Sequence, residues 1–282
     1  MSKIKGISAE LTERLNWLVC LGDLFSSYEK NKNDKFYTTI KKAEILNPWF
    51  SEQNINTSIN YWQSKLKLNI ISAWISKYEM IETPPIQVGI VMAGNFPFAG
   101  LHDLICVIIS GNIALVKPSK SDKILIEYLI DYLWNKFPKS KHYIIKTEIL
   151  KEFDKVIATG SNNTFRYFEY YFSKKPNILR KSRTSVAILE NHTDKDSLRL
   201  LAKDIFTYFG LGCRNVSKLF IPIGFDIKKI IHGFDEFEKI KLHHKYLNNL
   251  NYYKTIKILN NEKFIDGKFF LMSESKRFTP PI

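Results

Sequence analysis

The residue best placed to do chemistry in this chain is a cysteine set in a glycine turn. The run Tyr208-Phe209-Gly210-Leu211-Gly212-Cys213-Arg214-Asn215-Val216-Ser217-Lys218-Leu219-Phe220 puts Cys213 between a helix-like stretch and a strand-like one. Gly210 and Gly212 admit backbone angles and close approaches that other residues resist, and Arg214 is a neighbouring cation of the kind that favours thiolate over thiol. An accessible thiol in such a turn can act as a nucleophile. A buried structural cysteine fits the same letters, since free cysteine is among the most buried residue types.

Three further segments carry polar residues at what the pattern predicts are strand ends. In Ala93-Gly94-Asn95-Phe96-Pro97 the Asn95 amide either caps the turn before the next helix or projects into a crevice, where it would stabilise an oxyanion. Val116-Lys117-Pro118-Ser119-Lys120 ends a strand in two lysines around a proline, which is either a solvated basic turn or a grip on phosphate. Ala158-Thr159-Gly160-Ser161-Asn162-Asn163-Thr164 runs through small residues into a helix. Thr159, Gly160 and Ser161 there suit a pyrophosphate at a helix N-terminus, and an ordinary Ser or Asn cap explains them equally well. The chain contains no G-x-G-x-x-G fingerprint.

The elements that must position these residues follow from periodicity. Residues 1 to 84 read as mostly helical, with apolar residues at helical spacing over 10–28 and 55–78 and breaks at Asn47-Pro48 and Pro84-Pro85. Trp49, Phe50 and Trp62 are expected to be packing anchors. From Ile86 short apolar strands alternate with helices: strands over 86–92, 113–116, 143–146 and 156–158, helices over 98–109, 122–137 and 165–172. That alternation predicts a parallel sheet covered on both faces, whose ligands gather at the carboxyl ends of the strands. The polar segments above would then share one crevice.

Composition narrows the classes. Hydrophobic residues at 45% and aromatics at 14% of 282 residues describe a globular chain able to bury a large core. Three widely spaced cysteines, Cys20, Cys106 and Cys213, argue against a disulfide framework or zinc site and for a reducing, cytoplasmic compartment. No metal is assigned, because His102, His192, His232, His243 and His244 lack partners at metal-ligand spacing. The N-terminus shows no export signal, and the apolar run 104–116 is too short and too broken to span a membrane. A net charge of +14 comes without long basic runs, zinc-finger spacing or RNA-binding aromatics, so no nucleic-acid partner is expected.

Taken in order, Gly-Asn-Phe-Pro after a strand, Val-Lys-Pro-Ser, Thr-Gly-Ser opening a helix, and a cysteine turn before a strand resemble the aldehyde dehydrogenase superfamily. His102-Asp103, Ile157 to Thr164 and Phe206 to Ser217 resemble more narrowly the acyl-CoA reductases related to the fatty-acid reductase of bacterial luminescence. The likeness implies an α/β, aldehyde-dehydrogenase-like fold. A parallel-sheet NADP(H)-binding domain with a helical N-terminal part would occupy residues 1–180. A smaller catalytic domain would occupy 181–282, expected to be incomplete at its C-terminus because relatives continue beyond it. Cys213 would match the acyl-accepting nucleophile, with Asn95 and the Cys213 N–H as the oxyanion hole. Lys117 and Ser119 would meet the adenosine ribose, and Gly160-Ser161 would lie under the pyrophosphate. Members of the superfamily commonly pair, which leaves a homodimer open.

Departures from the family pattern carry equal weight. Lys120 stands where many relatives have a ribose-binding Glu, so a 2′-phosphate and hence NADPH is implied. The run Arg180-Lys181-Ser182-Arg183 contains no carboxylate where relatives place the base that hydrolyses the acyl-enzyme. Its cations suit either solvent or coenzyme A phosphates. Glu274 resembles a nicotinamide-ribose ligand but lies at the wrong distance from Pro280, and His243 or His244 is left open as a proton donor. The implied reaction is reduction of a fatty acyl-CoA to the aldehyde through an acyl-Cys213 thioester; an inactive binding protein of the same fold and an aldehyde dehydrogenase are the alternatives.

Overall fold

The computed structural model describes residues 8–28, 34–81 and 83–276. The opening Met1 to Gly6 segment and the closing Arg277 to Ile282 segment, Pro280 included, lie outside the described residues. The chain divides into two compact units, Met1–Lys181 and Ser182–Ile282.

The first unit opens with helices α1 (Ala9–Ser27), α2 (Lys35–Leu46), α3 (Glu52–Lys65) and α4 (Leu68–Ile75). Ser8, Asp34 and Ser51 cap the first three by accepting first-turn N–H groups. The periodic run 55–78 is not one helix: it breaks at Leu66-Lys67. The cause is tertiary. Leu66 is buried, and its carbonyl oxygen lies 2.6 Å from where a Cβ on Gly22 of α1 would stand. Phe50 and Trp62 are buried, and Trp49 packs against the same core.

A five-stranded parallel sheet follows: β1 (Gln87–Val91), α5 (Leu101–Ile109), β2 (Ile113–Lys117), α6 (Lys123–Lys136), β3 (Ile144–Lys146), β4 (Lys155–Thr159), α7 (Asn162–Phe172) and β5 (Asn177–Arg180). The strand order is β3-β2-β1-β4-β5. β1 pairs with β2 from Gln87↔Ile113 to Val91↔Lys117, and with β4 from Val88↔Lys155 to Val91↔Ala158. Strand order reverses between β1 and β4, the position where open α/β sheets bind ligands. No regular element spans 147–154 between β3 and β4. Leu150 and Phe153 of that segment pack instead against Val156, Ala158 and Phe168.

The loops after β1 and β2 are clasped together. α5 begins at Leu101 and not at Phe98, because Phe98 adopts φ 60° and donates its N–H to Asp122 Oδ2 at 2.9 Å. A Cβ on Gly94 would lie 2.4 Å from Ser119 Cβ, so only glycine fits at this contact. Asp122 is fully buried. Burial pushes its carboxyl well above the ordinary range, against the pull of N–H bonds from Phe98 and Ala99.

The second unit is a β6 (Ser185–Ile188), α8 (Lys195–Phe206), β7 (Val216–Phe220) crossover with parallel pairing. Helices α9 (Ile227–Gly233) and α10 (His244–Leu259) and the antiparallel pair β8 (Ile265–Asp266) and β9 (Leu271–Met272) complete it. Its core gathers Leu198, Ala202, Phe206, Ile230, Phe234 and Phe269.

Because the folded Asp122 carboxyl titrates above the ordinary value of 3.8, its contribution to stability is full below that value and falls as pH rises through the folded pKa. Asp122→Asn keeps a neutral acceptor for Phe98 and should abolish this decline. Denaturant unfolding at increasing pH should show the variant gaining on the native chain by up to about 1.4 kcal/mol per pH unit in the titrating range. A pH-independent difference would contradict this.

Candidate active site

Three sequence-predicted segments lie at the carboxyl edge of the parallel sheet because parallel pairing leaves them no alternative. Asn95 follows β1, flanked by the two strands that end in Lys117 and Thr159. Asn95 does not cap α5, whose N-cap position is Gly100. Lys117 ends β2 half-buried, Lys120 is exposed, and Ser119 presses its side chain on Gly94.

The lysines have a carboxylate neighbour that sequence reading passed over. Glu148 pairs with Lys123, and that bond, helped by the charges of Lys117 and Lys120, holds its carboxyl below the ordinary range. The signal was present only as a lone acid after β3, and the parallel pairing of β2 with β3 brings it to the same edge.

At the end of β4, Gly160 gives its N–H to Arg180 O at 3.1 Å, so that amide is spent on the sheet. Ser161 Oγ accepts the Thr164 N–H at 3.2 Å and caps α7. Ser161 is thus the helix cap. Gly160 is small because a Cβ there would meet the Phe168 ring at 2.8 Å. The Thr159 hydroxyl is buried without a hydrogen-bond partner. Beside this edge a groove of about 900 Å³ runs over β1, lined by Val91, Lys117, Leu150, Tyr167, Phe168 and Tyr171, with Lys151, Lys174 and Lys175 on its walls. Glu152 and Asp154 line it as well, so its aromatic walls carry both cations and carboxylates.

Arg180 is half-buried and paired. Its Nη1 donates to both oxygens of Asp103 on α5, at 2.7 and 2.8 Å. Burial alone would push the Asp103 carboxyl up; hydrogen bonds from His102 and Arg180, with their charges, outweigh it and hold the carboxyl below its ordinary value. The fold thus brings a carboxylate to the end of β5 that the local sequence lacks, and pairs it with a cation.

In the second unit Cys213 is exposed, on a turn between α8 and β7. Three residues before it, Tyr208, Phe209 and Gly210, take φ of 55°, 57° and 76° in succession. For the two aromatic residues this conformation costs about 1–2 kcal/mol each. Asn215, buried and absent from the sequence-predicted set, holds the turn. Its Oδ1 accepts the Gly212 N–H at 2.7 Å, while its Nδ2 lies 2.7, 3.2 and 3.0 Å from the carbonyl oxygens of Asp204, Ile205 and Thr207 at the end of α8. A Cβ on Gly212 would stand 2.5 Å from Asn215 Oδ1. His243 Nδ1 accepts the Tyr246 N–H at 3.2 Å, and its ring lies 4.4 Å from that of Phe209. His244 and Glu274 are exposed.

Asn215→Ala should leave the Gly212 N–H and the α8 carbonyls without this partner, at about 2–4 kcal/mol. Hydrogen exchange at the Gly212 amide should accelerate in the variant relative to α10, and unchanged protection would rule the clamp out.

The acyl-CoA reductase (LuxC) family model matches residues 70–228, more than half of the chain and inclusive of Asn95, Lys117, Ser161 and Cys213. A long-chain acyl-protein thioester reductase of Aliivibrio fischeri is 21% identical, with 73% of this chain covering 49% of that protein, so the chain spans about half the length of this curated relative. Among solved structures, a betaine aldehyde dehydrogenase of Staphylococcus aureus, in complex with NAD+, matches 91% of this chain and 58% of its own at 13% identity and a TM-score of 0.64. A propionaldehyde dehydrogenase of Rhodopseudomonas palustris with bound propionyl-CoA matches 80% and 53% at 12% identity and a TM-score of 0.58. The fold is α/β and aldehyde-dehydrogenase-like, and the chain belongs to the acyl-CoA reductase (LuxC) family.

Proposed function

We propose that this chain reduces a fatty acyl thioester to the aldehyde, with Cys213 as the acyl acceptor. The observation that carries the reading is the exposed Cys213 on a turn fastened through Asn215. The Cys213 thiolate attacks the thioester carbonyl, coenzyme A leaves as a thiolate, and an acyl-cysteine remains. Asn95 is assigned to the acyl oxygen together with the Cys213 N–H. The groove over β1 would hold the nucleotide, with Lys117 and Ser119 at the ribose, Lys120 at a 2′-phosphate, and Thr159, Gly160 and Ser161 beside the pyrophosphate, the amides of the α7 first turn making the approach. A reduced nicotinamide bound there would supply the hydride. Collapse of the resulting Cys213 thiohemiacetal expels the thiolate and frees the aldehyde.

Coenzyme A as donor is supported by the propionyl-CoA bound to the structurally similar propionaldehyde dehydrogenase. An acyl-protein donor is the form named for the Aliivibrio relative. Hydrolysis to the acid is disfavoured because the run Arg180-Lys181-Ser182-Arg183 offers no carboxylate as a general base. NADPH is preferred to NADH on the cations at Lys117 and Lys120, although Glu148 offsets part of that charge.

Incubating the full chain with a long-chain acyl-CoA and no nucleotide should leave the acyl group on Cys213 and release an equal amount of free thiol. NADPH added afterwards should discharge it as aldehyde. Labelling that survives Cys213→Ala, or no labelling at all, would remove the reading. Lys120→Glu should weaken NADPH relative to NADH by about tenfold, measured by titration of nucleotide fluorescence.

A further inference from the structure

In the first unit a second thiol lies beside an imidazole. On α5, Cys106 Sγ stands 3.7 Å from His102 Nδ1 and 4.0 Å from Nε2. The spacing is that of residues one helical turn apart, which share a face. His102 Nδ1 is also 3.8 Å from Asp103 Oδ1, and Asp103 is anchored by Arg180. The four side chains form one connected cluster: thiol, imidazole, buried carboxylate and guanidinium. Cys106 is half-buried, and the His102 side chain is 61% exposed, so solvent reaches the pair. Hydrogen bonds to Asp103 and then to Cys106 push the His102 pKa up to about 10, which keeps the ring cationic at neutral pH.

The thiolate is the attacking form of cysteine, and a hydrogen-bonding cation stabilises negative charge on sulfur. Cys20 offers an internal contrast. It is equally half-buried, but its partner is the neutral Tyr132 hydroxyl at 3.6 Å.

We propose that Cys106 is a second reactive thiol of this protein, which exchanges with small disulfides to form a reversible mixed disulfide. In that step the Cys106 thiolate attacks one sulfur of the incoming disulfide. A new S–S bond forms, the old one breaks, and the displaced half leaves as thiolate, so Cys106 is oxidised and the leaving half reduced. The exchange asks for a thiol beside a cation and for access, which is what the geometry supplies. It does not depend on the role assigned to Cys213.

The test uses the full reduced chain and oxidised glutathione, with each cysteine peptide followed by mass spectrometry. Cys106 should acquire glutathione about tenfold faster than Cys20. His102→Asn, at an exposed position, should slow Cys106 about tenfold and leave Cys20 and Cys213 unchanged. Dithiothreitol should reverse the adduct. Reaction at Cys106 no faster than at Cys20, or a rate indifferent to His102→Asn, would overturn the proposal. Acyl labelling of Cys213 fails or succeeds separately.

Discussion

Parallel pairing of β1 on both sides is the constraint from which the first unit follows. A parallel neighbour cannot be reached by a hairpin, so each connection must cross back over the sheet, and every strand delivers its carboxyl end to the same edge. With β2 on one flank and β4 on the other, the loops carrying Asn95, Lys117 and Ser161 are neighbours although the sequence separates them widely. The edge is then tightened by the Gly94–Ser119 contact and by the Phe98 N–H to Asp122, which fix how the first loop leaves the sheet. A carboxyl with no solvent exposure is an expensive group to bury unless it is neutral or paired. Burial moves Asp122 toward the first course, and Asp103 takes the second.

The contrast between those two acids shows what sets the charge of a buried carboxyl. Asp122 has only backbone donors, so burial dominates and its carboxyl goes up. Asp103 has Arg180 and His102, so attraction dominates and it goes down. A carboxylate held low in this way is a poor proton acceptor. Glu148, set among Lys117, Lys120 and Lys123, shows the same principle at the surface, where screening makes the balance softer.

In the second unit the cysteine turn stores strain and holds it locally. Two aromatic residues in the left-handed region would relax if the turn were free, yet the nine residues between Phe206 at the end of α8 and Val216 at the start of β7 must join the two. Asn215 makes that junction hold by offering acceptor and donors at once, to Gly212 on one side and the last carbonyls of α8 on the other. Backbone groups at a helix end need partners, and a side-chain amide is one of the few groups able to serve both kinds.

The sequence by itself determined the parallel α/β architecture, the strands β1 to β4 and the turn that carries Cys213, since alternating apolar runs and glycine turns are local signals that need no partner to be read, whereas the exposure of Cys213 was settled only by the fold. It also determined Ser161 as a residue at a helix start, though cap and phosphate cradle have the same letters. Only the tertiary structure decided that 55–78 is two helices, because the break answers to Gly22 on another helix. The same holds for β5, too short and too polar to announce itself, and for the start of α5, which Asp122 sets from across the edge. Arg180 with Asp103, Glu148 among lysines and Asn215 under Cys213 were illegible for one reason. Each acts through a partner distant in sequence or through a backbone group, and the value of a charge or an amide is set by what faces it, which the chain does not reveal until it is folded.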